Sequence, residues 1–175
     1  IAEFKHTFGH APEGMWLPEA AVNLETLSVL ANEGIRFTIL APGSAESDGL
    51  DTNQPYRVQI PDGKSIVVFF YNGALGTSIS FNPAATENAD RFISEHVVGQ
   101  YTDSQNDQLV LVATDGELYG HHQPFREKFL AYLLDGALHN QGIETITPGR
   151  WLKEHTVTSE IRIKENTSWS CFHGV

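Results

Sequence analysis

Apolar positions along the chain switch between two periods, and the switches mark its elements. "GMWLP" at 14–18 reads as the end of a short strand. Residues 19–33 follow as a helix, with Ala20, Leu24, Leu27 and Ala31 recurring at helical spacing. Pro18 suits its first turn and Gly34 its stop. "IRFTILAP" at 35–42 is rich in β-branched and aromatic residues and closes on proline, which predicts a strand. Residues 43–64 are polar and turn-rich. They lead into "YRVQIPDGKSIVVFFY", two strands around the Pro-Asp-Gly turn at 61–63. This is a loop and hairpin inserted between the main elements.

The near-continuous apolar run at 65–71 predicts a strand covered on both faces. A helix over 85–100 presents Ala89, Phe92, Ile93 and Val97 on one side, and "QLVLVATD" at 108–115 reads as another buried strand. A helix over 124–140 turns Phe125, Phe129, Tyr132, Leu133 and Ala137 inward. A strand at 143–146 and a short helix at 149–155 come next, and the last twenty residues have weak periodicity. The alternation predicts an α/β fold of parallel strands with flanking helices, in one domain over 1–175.

In such folds the chemistry gathers at the carboxyl ends of the strands. "TDGELYGHH" places Asp115 at the end of one strand, with Glu117, His121 and His122 close behind. Glu19 stands just past the end of an earlier strand, beside Trp16. Each has a plain alternative. Glu19 suits a helix's first turn electrostatically, Asp115 suits a turn or cap, and Trp16 suits a core. His121 and His122, if helical, point about 100° apart, so one of them suffices for a site.

Two carboxylates in one crevice suit glycoside hydrolysis: one attacks the anomeric carbon while the other protonates the leaving oxygen. A sugar ring can pack its C–H face on an exposed indole such as Trp16. A rival use is a divalent ion held by Asp115 with His121 or His122, joined by His6 or His10. No strong zinc spacing supports it. "DGKS" at 62–65 lacks the glycine spacing of a phosphate loop, and there is no G-x-S-x-G elbow.

The formal charge of −11 and eleven scattered Lys and Arg exclude a nucleic-acid partner and favour a neutral ligand such as a glycan. No apolar run is long enough to span a bilayer, and no signal peptide is visible at the N-terminus. Cys171 is the sole cysteine, which points to a reducing, cytoplasmic setting without disulfides.

"GMWLPEAAVNLETLSVLANEGIRFTILAP" and "ATDGELYGHH" together resemble two regions of glycoside hydrolase family 57, the α-amylase and glucanotransferase group. The final "ENTSWSCFHGV" matches an uncharacterised subgroup of these amylase-like proteins. The resemblance implies part of a (β/α)7 TIM-like barrel, a retaining mechanism on α-glucans and no cofactor. It maps the nucleophile onto Glu19 and the acid/base onto Asp115. Trp16, Glu117, His121 and His122 become substrate-binding positions. The family's N-terminal His-Gln-Pro motif has no counterpart here. "HHQPF" at 121–125 lies in the acid/base region instead. The chain is therefore expected to be the central part of a longer barrel protein, with open sheet edges and little activity alone. A metal-dependent, polysaccharide-deacetylase-like hydrolase and a non-catalytic glycan-binding module are the alternatives.

Overall fold

A computed structural model describes residues 1–170. Cys171 and the end of the "SWSCFHGV" segment lie outside the described residues. The chain forms two compact units, one built from residues 1–71 and 148–175, the other from 72–147.

The first unit carries a four-stranded sheet in the order β1-β2-β4-β3: β1 (Gly14–Met15), β2 (Phe37–Leu40), β3 (Tyr56–Ile60) and β4 (Lys64–Phe70). β1 pairs with β2 and β2 with β4 in parallel, and β3 pairs antiparallel to β4. The hairpin predicted at the Pro-Asp-Gly turn is present, but β4 lies inside the sheet and only β3 is the added edge. The apolar run of β4 is buried from Ile66 to Phe70, as a two-face-covered strand requires.

Helix α2 (Leu24–Asn32) starts later than predicted. Asn23 caps it by accepting from the Thr26 N–H at 2.8 Å. Residues 18–20 instead form a separate 3₁₀ turn. Gly34, at φ 84°, takes the left-handed conformation that ends the helix. Leu27 and Leu30 of α2 pack with Leu40, Val58, Ile66, Val68 and Phe70 in the unit's core. On the sheet's other face Phe37 meets Phe69 edge-on at 5.6 Å, and helix α6 (Pro148–Glu154) buries Trp151. Gly14 is required here: a Cβ on it would fall 2.2 Å from the Phe37 ring. Helix α1 (Ala2–Phe8) was not predicted; it buries none of its residues, and so lacks the one-sided apolar stripe that marks a packed helix. The weakly periodic tail also joins the core. Its bridges Arg57–Glu160, Ala45–Ile163 and Val22–Thr167 pin it, and Ile163 is buried.

The second unit is helical among the described residues. Helix α3 (Gly73–Phe81) opens it, with Asn72 capping through the Leu75 N–H at 3.0 Å. Its glycine-rich sequence hid it from periodicity. The helix predicted over 85–100 is broken into a 3₁₀ turn, α4 (Ala89–Phe92) and a π-type turn, yet Ala89, Phe92, Ile93 and Val97 are buried as expected. Helix α5 (Arg126–Tyr132) and the π-type turn after it correct the inward face predicted for 124–140. Phe129, Leu133 and Ala137 are buried, whereas Phe125 is 69% and Tyr132 53% exposed. Phe125 stands outside the helix in a left-handed conformation, φ 66°, and the exposed Tyr132 donates its hydroxyl to Asp90.

The stretches 108–115 and 143–146 form no ladder among the described residues. A strand needs a neighbour, and within this unit the first stretch accepts Asn72 N–H at the Leu111 carbonyl, 2.7 Å, while Leu118 N–H, from the turn that follows it, bonds the Asp115 carbonyl at 3.3 Å. No helix among the described residues is long and apolar enough to cross a membrane.

Candidate active site

Glu19 is held by an unusual turn. Pro18 fixes the first position, then Glu19 (φ 57°) and Ala20 (φ 45°) are both left-handed. For non-glycine residues this costs about 1–2 kcal/mol each, so the surroundings must hold it in place. Ala20 N–H bonds the Leu17 carbonyl at 2.8 Å and Ala21 N–H the Pro18 carbonyl at 3.0 Å. Trp169 N–H bonds the Glu19 carbonyl at 2.9 Å, and Val22 exchanges both backbone bonds with Thr167. The result buries Ala20 completely and turns the Glu19 carboxylate to solvent. Glu19 is thus not the first-turn residue of α2, and the dipole reading does not apply to it.

Trp16 is 39% exposed rather than core. Its ring meets Trp169 edge-on at 4.9 Å, and Trp169 meets Tyr71 at 6.1 Å. Burial pushes the Tyr71 hydroxyl pKa up. Ser170 Oγ donates to Glu19 Oε2. Trp169 and Ser170 belong to a motif visible in the sequence, but their partnership with Glu19 had no signal there, because the residues lie far apart in the chain.

In the second unit, Asp115 is itself extended (φ −66°, ψ 139°) and precedes a 3₁₀ turn at Gly116–Leu118. Its side chain makes no cap hydrogen bond, so the capping role is not what fixes it. Leu118 anchors the turn in the core, while Asp115 and Glu117 are exposed. The Glu117 carbonyl accepts from the N–H groups of both His121 (3.2 Å) and His122 (2.9 Å). The histidines are not helical, contrary to the 100° expectation: their rings stack at 4.6 Å and 20°. Both are exposed.

Gln123 ties this loop down. It donates to the carbonyls of Ile79 (3.2 Å) and Ser80 (3.3 Å) and accepts from Thr86 Oγ1 (3.2 Å). Arg126 Nε in turn donates to Thr86 Oγ1 at 2.8 Å. The loop therefore presents Asp115, Glu117, His121 and His122 on a clamped base. The clamp was not foreseen from sequence. Among the described residues, no three of His, Cys, Asp and Glu gather into a group able to hold a metal ion.

The sequence model of glycosyl hydrolase family 57 matches residues 1–164. The chain belongs to this family. Solved family 57 structures and their neighbours share its fold. A branching enzyme of this family from Pyrococcus horikoshii is similar over 99% of the chain and 43% of its own, at 21% identity and a TM-score of 0.78. A 4-α-glucanotransferase from Thermococcus litoralis is similar over 95% of the chain and 26% of its own, at 22% identity and a TM-score of 0.75. The α-amylase AmyC from Thermotoga maritima is similar over 98% and 46%, at 11% identity and a TM-score of 0.72. At these identities the likeness is one of fold, and the chain spans less than half the length of each. No curated protein matches the chain in sequence. The α/β class with a mostly parallel sheet and flanking helices is the class expected from the sequence.

Proposed function

We propose that the chain carries the catalytic pair of a retaining α-glucan hydrolase or transglycosylase. The observation that carries this reading is the left-handed turn that holds the Glu19 carboxylate in solvent beside Trp16 and Trp169. A strained backbone with a tied, exposed carboxylate is where function resides more often than chance. Glu19 Oε attacks the anomeric carbon as the glycosidic bond breaks, forming a glycosyl ester. Asp115 gives its proton to the leaving oxygen. It then takes a proton from water (hydrolysis) or from an acceptor sugar hydroxyl (transfer), whose oxygen displaces Glu19 with a second inversion. This requires the two carboxyl groups roughly 5–5.5 Å apart. Trp16 stacks a sugar ring, and Glu117, His121 and His122 bond its hydroxyls. The mechanism uses no cofactor. A cytoplasmic location goes with the reading, supported by a single cysteine in 175 residues.

Glu19→Gln and Asp115→Asn test it in the protein that contains this chain, with maltooligosaccharides as substrate. Each is expected to lower kcat by about 10³-fold or more while the circular dichroism spectrum is unchanged, because both side chains are exposed. Wild-type rates in either variant would remove the assignment.

A further inference from the structure

We propose that a cationic groove in the first unit binds a small organic phosphate, at the opposite ends of the strands from Glu19. The groove has a volume of about 660 Å³, within the range of small-molecule sites. It opens where β2 and β4 begin, beside the segment that follows α6. Glu19 lies beyond the carboxyl end of β1, which runs parallel to β2. The groove is therefore separate from the proposed nucleophile, and the inference does not depend on the glycosidase reading.

Its charge is the unusual feature. Arg36, Arg57, Lys64 and His155 line it, and none of its described lining residues is Asp or Glu, in a protein of net charge −11. Arg57 pairs with Val67 across the hairpin, and Val67 with Phe37, so these three side chains share the sheet face under α6. Its guanidinium donates to Ser65 Oγ at 3.0 Å and forms no ion pair among the described residues. Lys64 Nζ donates to Asn32 Oδ1 and likewise has no carboxylate partner there. Arg36 is already engaged, by Glu13 at 3.2 Å. Two cations without counter-ions among the described residues, beside a hydroxyl, are what a phosphate uses: Arg offers a planar fork and Lys a point charge. The floor of Ile35, Val67 and Leu152 is apolar and the volume far exceeds a bare anion. The occupant therefore carries a carbon skeleton next to its phosphate.

Calorimetric titration of the full protein in chloride buffer, with glucose 6-phosphate, glucose and inorganic phosphate as probes, tests this. Glucose 6-phosphate is expected to saturate one site, tighter than inorganic phosphate by at least threefold, with glucose not binding there. Arg57→Gln and Lys64→Gln are each expected to weaken it at least tenfold. Lys64 is exposed, so its variant stays informative even if the Arg57 variant misfolds. Absence of glucose 6-phosphate binding, its displacement by equimolar glucose, equal binding of inorganic phosphate, or undiminished affinity in Lys64→Gln would overturn the proposal.

Discussion

Ser170 Oγ donates a hydrogen bond to Glu19 Oε2 across 151 positions of chain. The same tail segment closes the turn from the backbone side, through Trp169 N–H and the Glu19 carbonyl at 2.9 Å. The carboxylate is therefore oriented by a segment that sequence separation would never associate with it. Ser170→Ala frees one oxygen of Glu19 while leaving the backbone bond in place. The expected outcome is a fall in kcat of about tenfold with KM little changed, since a hydrogen bond to a charged group contributes about 1.5–3 kcal/mol and this one is exposed to water. Steady-state kinetics on maltooligosaccharides reads the split. An equal rise in KM with kcat intact would instead assign Ser170 to substrate binding.

The two carboxylates separate by leaving group. An α-glucosyl fluoride departs without protonation, so Asp115→Asn is expected to keep far more of its glycosylation rate on that donor than on a maltooligosaccharide, by about 10²-fold or more. Glu19→Gln is expected to lose both equally. Pre-steady-state release of fluoride measures the difference.

The loop that carries Asp115 rests on Thr86, which is 1% exposed and whose Oγ1 lies within hydrogen-bond distance of Pro83 O and Gln123 Oε1 while accepting from Arg126 Nε. Thr86→Val strands these partners. A loss of about 1–3 kcal/mol is expected in urea unfolding. Gln123→Leu should behave similarly, because it leaves the Ile79 and Ser80 carbonyls without their donor.

Gly14 faces the Phe37 ring so closely that Gly14→Ala forces the ring or β1 to move. Overpacking of this kind costs about 1–3 kcal/mol. Phe37→Leu makes room, so the double variant is expected to be less destabilised than the sum of the singles. Additive losses in a double-mutant cycle would show that the strand, not the ring, takes the strain.

Several elements were legible because each carries its own local signal. β2 and β4 announce themselves by β-branched and aromatic runs, and the 61–63 turn by Pro-Asp-Gly. The start of α2 was misplaced because Pro18-Glu19 imitates a helix start, while the true cap, Asn23, comes five residues after Pro18. The stretch 108–115 has strand composition, but composition cannot supply a ladder partner. Phe125 and Tyr132 fit the inward stripe by spacing, yet Phe125 stands before the helix in a left-handed conformation and Tyr132 is exposed with its hydroxyl on Asp90, while Phe129, Leu133 and Ala137 stay buried. The candidate residues Glu19, Trp16, Asp115, Glu117, His121 and His122 are read from sequence, whereas the contacts of Ser170, Trp169 and Gln123 join distant segments that sequence does not bring together.

Tyr56 gives a pH test of the first unit. Burial first, and then the charge of Asp51, raise its hydroxyl pKa above the ordinary 10.0, although its hydrogen bond to the Asp51 carbonyl opposes this. The folded state then holds this proton where the unfolded chain has released it. Its contribution to stability is intact below pH 10 and lost as pH rises through the folded value. Tyr56→Phe is expected to flatten the decline of stability above that pH in urea titrations. An unchanged slope would mean that Tyr56 is solvated when folded.

Mass spectrometry of the full protein treated with a fluorinated α-glucosyl fluoride, whose covalent intermediate turns over slowly, tests the catalytic assignment most directly. A single glycosyl adduct on the peptide spanning Glu19, with a product of retained anomeric configuration by proton NMR, is the expected result. An adduct on another carboxylate, or a product of inverted configuration, would contradict it.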